Sequence, residues 1–218
     1  MGTATATGER GPADTEIWQR RYSDPRHNHR LSREPWSNAW RSAIAGLTPG
    51  RALDLGCGPG FDTEELLSRG FAVTAVDISG AAVDLSLRRN PSARHLVADV
   101  RRLPRDVAGP FRVVIANLSL HYFGQAETYA VFAAIAGLLA PGGRFLFRVN
   151  AEDEYGAPAD ASSWDLVEVG GVKKQFFDER KIRGLLLGHL DILSLEKRET
   201  GRFGARKSLY EVVAGKFK

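Results

Sequence analysis

Residues 52–63 read A-L-D-L-G-C-G-P-G-F-D-T. A short apolar run carrying Asp54 breaks into glycines at positions 56, 58 and 60, then resumes with Phe61, Asp62 and Thr63. Glycine tolerates positive φ and lets other atoms approach the main chain closely, so this spacing predicts a turn pressed against something else. A glycine turn that leaves a strand and opens a helix is a ligand loop. Dinucleotide loops follow G-x-G-x-x-G, which would require glycine where Phe61 stands; the spacing here is G-x-G-x-G. A pyrophosphate would be repelled by Asp54 at the strand end, whereas an ammonium or sulfonium would be attracted. The sign of that charge predicts a ligand with a cationic end.

Outward from this loop the chain repeats strand, turn and helix. Residues 51–55 are a strand and 62–68 a helix, with acidic groups at its positive end. A β-branched strand over 72–76 ends in Asp77, and a helix over 79–89 stops at Asn90-Pro91. A third strand, 93–98, ends in Asp99. The near-continuous apolar run 111–116 suits a strand buried on both faces and is followed by Asn117. A helix over 125–140 ends at Pro141-Gly142-Gly143, and a fifth strand covers 144–149. Alternation of this kind predicts an α/β fold with a mainly parallel sheet covered on both faces. Beyond Asn150 lies an acidic stretch, 151–171, without lysine or arginine, then a helix over 178–187 and two closing strands, 191–195 and 209–213. Residues 1–14 are small and polar and predict a disordered leader. Residues 15–50 form an aromatic, arginine-rich helical cap, and 51–218 the main domain.

The composition fits one ordinary globular domain: 218 residues, 43% hydrophobic and 26% charged, with a formal charge of +4. The basic residues are dispersed rather than gathered into a stripe, which argues against a nucleic-acid partner. No apolar run is long enough for a membrane span. The single cysteine, Cys57, and the absence of a signal-like segment predict a cytoplasmic protein, monomeric or homodimeric.

Asp54, Asp77, Asp99 and Asn117 each end a strand, and ligands of open α/β sheets bind outside those ends. A nucleoside with a cationic amino-acid tail satisfies all four. Here the residues carry a resemblance. L-D-L-G-C-G-P-G, V-D-I-S, V-A-D-V-R-R-L-P, N-L-S-L-H-Y-F and L-L-A-P-G-G-R-F-L-F resemble the successive motifs of class I S-adenosylmethionine-dependent methyltransferases. Within them, N-L-S-L-H-Y-F and R-V-N followed by acidic residues resemble the small bacterial, tellurite-resistance-like type. The resemblance implies a three-layer Rossmann-like fold with seven strands in the order 3-2-1-4-5-7-6, the seventh antiparallel. It implies S-adenosylmethionine as cofactor, S-adenosylhomocysteine as product and no metal. Asp77, with Ile78, would hold the ribose and Asp99, with Val100, the adenine. Gly56, Cys57, Gly58, Gly60 and the Asn117–Leu118 backbone would flank the methionine part.

Methyl transfer chiefly needs alignment and exclusion of water, and needs a base only for a nucleophile that must shed a proton. His121, four residues past Asn117, is the candidate base. Trp18, Tyr22, Trp36 and Trp40 are candidates for a lid, with Arg21 or Arg41 meeting a substrate carboxylate. Tyr122 would wall the site, and Arg148 and Asp165 are candidates for the substrate side. An acidic 151–171 loop facing the substrate would instead favour an amine. The acceptor is expected to be a small molecule methylated at N, O or S. Arginine in excess of lysine, with abundant alanine and glycine, points to natural-product tailoring; the alternatives are a detoxifying tellurite- or thiopurine-type enzyme, or a cofactor-binding cyclase or sensor.

Overall fold

The computed structural model describes residues 12–28, 36–154, 156–158, 163–200 and 207–216. Three N-terminal helices, α1 (Pro12–Ser23), α2 (Pro25–Asn28) and α3 (Asn38–Ala45), precede the alternating units β1 (Arg51–Leu55), α4 (Phe61–Ser68), β2 (Ala72–Asp77), α5 (Gly80–Arg89) and β3 (Arg94–Val97). Then follow β4 (Phe111–Asn117), α6 (Gln125–Leu138), β5 (Leu139–Asn150), β6 (Val167–Val169), β7 (Val172–Lys174), α7 (Glu179–Leu186), β8 (Asp191–Thr200) and β9 (Lys207–Gly215). Seven strands form one sheet in the order β3-β2-β1-β4-β5-β9-β8. Numbered among themselves, these strands run 3-2-1-4-5-7-6, as expected. β9 is antiparallel to both β5 and β8, while β1 to β5 pair in parallel.

Central strands must bury both faces, and two apolar layers do this. On one face α6 and α7 cover a cluster in which Phe132, Phe145 and Phe147 meet at centroid distances of 4.7–5.6 Å. On the other, Trp36, Trp40, Ile44 and Leu66 of the α3–α4 side pack on Ala52, Val73, Leu146 and Val213. β5 alternates between the layers, sending Phe145, Phe147 and Val149 one way and Leu146 the other.

Three expectations change. Residues 1–11 of the expected leader lie outside the described residues, but Pro12–Asp14 already belong to α1. The expected helix 125–140 ends at Leu138, because Leu139 pairs with Phe111 and starts β5. Part of the acidic 151–171 stretch is strand: β6 and β7 form a hairpin closed by Gly170 and Gly171, both at positive φ. α5 and α7 are capped at their starts, with Ser79 accepting from the Ala82 N–H and Asp178 from the Lys181 N–H.

Candidate active site

The C-terminal ends of the central strands open into a crevice, where ligands of open α/β sheets bind. It is lined by Gly56 after β1, Asp77 at the end of β2 and Ile78 after it, Asp99 and Val100 after β3, and Leu118, Ser119, Tyr122 and Phe123 after β4. Trp18 and Tyr22 of α1 close it from above.

Inside the loop the three glycines each accommodate a different neighbour. A Cβ on Gly56 would stand 2.3 Å from Ser119 Cβ, one on Gly58 2.9 Å from the Tyr22 hydroxyl, and one on Gly60 2.4 Å from Ser86 Oγ. All three are at positive φ. The close approach read from the sequence is therefore made, in part, by the protein's own side chains. Ser119 is fixed by donating to the Leu55 carbonyl at 2.6 Å, and it follows Leu118, a non-glycine residue at φ 58°.

Asp77 is buried, with its carboxylate accepting from the Gly58 N–H and the Ser79 N–H, each at 2.9 Å. Burial pushes its carboxyl up, and those N–H groups pull it back. It ties the glycine loop to the start of α5 and fronts the crevice. Asp99 is held by Arg101, whose guanidinium also reaches Glu127 at 2.5 Å; the Asp99 bond is the main reason the Arg101 guanidinium is raised.

α1 is strapped across the opening. Gln19 Oε1 accepts from Ser79 Oγ and the Ala81 N–H, both at 3.1 Å. Arg21 donates to the Gly170 carbonyl of the hairpin at 2.9 Å and lies 5.0 Å from the centre of the Trp18 ring. Trp18 meets Tyr122 edge-on at 5.3 Å. Sequence reading missed Gln19, since a lone exposed glutamine gives no signal.

Residues 52–143 match the methyltransferase domain family. Over these residues the chain is similar to a methyltransferase domain. The chain is similar to the trans-aconitate 2-methyltransferase of Paracidovorax citrulli, 30% identical over 147 residues, 66% of this chain and 54% of that protein. It is also similar to the malonyl-[acyl-carrier protein] O-methyltransferase of Salmonella typhimurium, 26% identical over 152 residues, 70% of this chain and 59% of that protein. The chain thus spans about half the length of these curated relatives. In fold it is similar to the 1,6-didemethyltoxoflavin-N1-methyltransferase of Burkholderia thailandensis (TM-score 0.72, 24% identity, 100% of this chain and 93% of that one). It is also similar to the N-methyltransferase NodS of Bradyrhizobium japonicum (TM-score 0.70, 15% identity, 94% and 100%).

Several candidates stand elsewhere than the sequence suggested. Asp54 lies beneath the loop rather than in the crevice and accepts from Thr63 Oγ1 at 2.6 Å. Burial, with Asp62 and Asp77 nearby, pushes its carboxyl up to about 8. At neutral pH it is mostly protonated, so the charge argument that began with Asp54 does not rest on that residue. Cys57 is buried, and burial pushes its thiol well up, leaving an inert thiol. The Asn117 side chain turns to Asp62 Oδ2 at 2.9 Å, and Trp36 Nε1 holds the other oxygen at 2.6 Å. Trp36 and Trp40 are core residues on the sheet face, not a lid: Trp40 and Ile44 are the buried face of α3, and Trp36 packs with them.

Arg148 is an internal ion pair with Glu211 at 2.6 Å, under Trp40. Asp165 is exposed and bonded to Ser163. His121 is 1% exposed, lies behind Tyr122 at 4.2 Å, and its carbonyl accepts from the Gln175 N–H. It is not among the residues lining the crevice, so its placement does not favour a role as base. Three acids of the 151–171 stretch are occupied: Glu152 and Asp153 pair with Lys197 at 3.0 and 2.8 Å, and Glu154 accepts from the Ser208 N–H. These three brace β8 and β9. No metal-binding cluster occurs among the described residues, and no described helix is long and apolar enough to cross a membrane.

Proposed function

We propose that this chain binds S-adenosylmethionine in the crevice and transfers its methyl group to a small molecule held beneath α1. The observation that carries the reading is Asp77: a carboxylate at a strand end, oriented by two backbone N–H groups and lining the crevice beside a glycine loop. Such a carboxylate suits the hydroxyls of a ribose. Ile78 and Val100 supply apolar surface for a base, and Asp99 stands at the next strand end for its amino group. Bound there, S-adenosylmethionine would supply an already activated methyl. The protein's part is to align the acceptor and exclude water, which Trp18, Tyr22 and Tyr122 are placed to do. Fold neighbours described with bound S-adenosylhomocysteine support the cofactor. Relatives named as O-methyltransferases and neighbours named as N-methyltransferases support oxygen or nitrogen as acceptor atom. Incubating the chain with S-adenosylmethionine and an acceptor library, and following S-adenosylhomocysteine by mass spectrometry, tests the reading. Acceptor-dependent release is expected in wild type and not in Asp77→Ala.

A further inference from the structure

Among the described residues, two buried or mostly buried arginines are answered by carboxylates. Arg148 pairs with Glu211, and Arg101 with Asp99 and Glu127. Two cations beside the crevice are not matched in this way. Among the described residues Arg21 has no carboxylate within ion-pair distance and bonds only the neutral Gly170 carbonyl while lying against Trp18. Among the described residues the side chain of half-buried Lys174, at the end of β7, has no hydrogen-bond or ion-pair partner. Burial and then the Arg21 charge hold its ammonium below the ordinary value, and Glu154, the acid acting on it, is already bonded to Ser208.

Neither cation lines the crevice, but each is one contact or one residue removed from groups that reach its lining. Arg21 touches Trp18, Trp18 touches Tyr122, and both rings line the cavity. Gln175, next to Lys174, donates to the His121 carbonyl at 2.7 Å, one residue before Tyr122. Two like charges kept near one another in a half-buried place cost energy unless an anion joins them. Among the described residues the crevice lining holds no histidine or lysine, and its carboxylates Asp77 and Asp99 are already hydrogen-bonded, which suits a nucleophile that arrives without a proton.

We infer that the acceptor carries a carboxylate, recognised by Arg21 and Lys174, and is methylated on that carboxylate. This rests on the methyl-transfer reading above. A carboxylate oxygen forms the bond to the methyl carbon while the carbon–sulfur bond breaks. The bonding pair stays on sulfur. An anion and a sulfonium become a neutral methyl ester and a thioether, and no proton moves.

The test uses the full chain saturated with S-adenosylhomocysteine and three probe pairs: benzoate with benzamide, indole-3-acetate with its amide, and glutarate with its diamide. Dissociation constants come from ligand-observed NMR. At least one carboxylate should bind about tenfold tighter than its uncharged twin, as charge-assisted hydrogen bonds imply. That preference should vanish in Lys174→Met and Arg21→Gln and survive in Arg21→Lys, while Lys174→Met keeps wild-type affinity for S-adenosylhomocysteine. Equal binding of every pair, or a preference unchanged by Lys174→Met and Arg21→Gln, overturns the inference. Failure of the wild-type chain to bind S-adenosylhomocysteine is a separate result and strikes the methyl-transfer reading instead.

Discussion

A carboxyl group shut away from water keeps its proton, and Asp54 is such a group, raised from 3.8 to about 8 by burial first and by Asp62 and Asp77 second. The folded chain holds a proton there that the unfolded chain releases, so stability from this residue declines as pH rises from about 4 to 8. Asp54→Asn, which keeps the acceptor for Thr63, removes that dependence. Urea midpoints should fall between pH 6 and pH 9 more steeply in wild type than in the variant; parallel curves would refute a buried neutral carboxyl. At Gly56 the constraint is steric. Gly56→Ala adds a Cβ 2.3 Å from Ser119 Cβ at φ 74°, which should cost about 1–3 kcal/mol of stability and abolish cofactor affinity, read by urea titration and calorimetry. Residue types and their positions along the chain were legible here, whereas their directions were not. Asn117 and His121 stand where the sequence put them, but the backbone around Leu118 sends Asn117 to Asp62 and His121 behind Tyr122.

Elements are joined by a few polar contacts whose removal has distinct signatures. Between β5 and β9, Arg148 and Glu211 are 2% and 1% exposed. Glu211→Gln leaves the guanidinium buried with a weakened partner and should cost about 3–5 kcal/mol, seen as a lowered urea midpoint. The α1 strap is joined to α5 through Gln19. Gln19→Ala should leave the fold stable and speed release of S-adenosylhomocysteine about tenfold in stopped-flow fluorescence, the loss of two modest hydrogen bonds; an unchanged rate would show that α1 does not retain the cofactor. The hairpin that receives Arg21 was present in the sequence as V-E-V-G-G-V-K-K, a two-residue turn between alternating strands. It was hidden by reading the whole stretch through its charge. Three acids before it are braces for β8 and β9, a pairing between distant segments that spacing along one segment does not reveal.

At the scale of the molecule the order of the strands was legible because each β-α unit carries its own local signals: a strand run, a polar strand end, a cap and a glycine or proline stop. The site was legible as far as those strand ends reach, since the sheet brings their C-terminal ends to one rim. The rest depends on packing. Four aromatic residues before residue 41 looked alike in sequence, yet Trp18 and Tyr22 roof the crevice while Trp36 and Trp40 fill the core. The central claim is that this crevice is a nucleoside site governed by Asp77. Isothermal titration of S-adenosylhomocysteine into the chain tests it most directly. The account predicts one site per chain in wild type and none detectable in Asp77→Ala of unchanged circular dichroism; no heat of binding in wild type, or equal affinity in the variant, would contradict it.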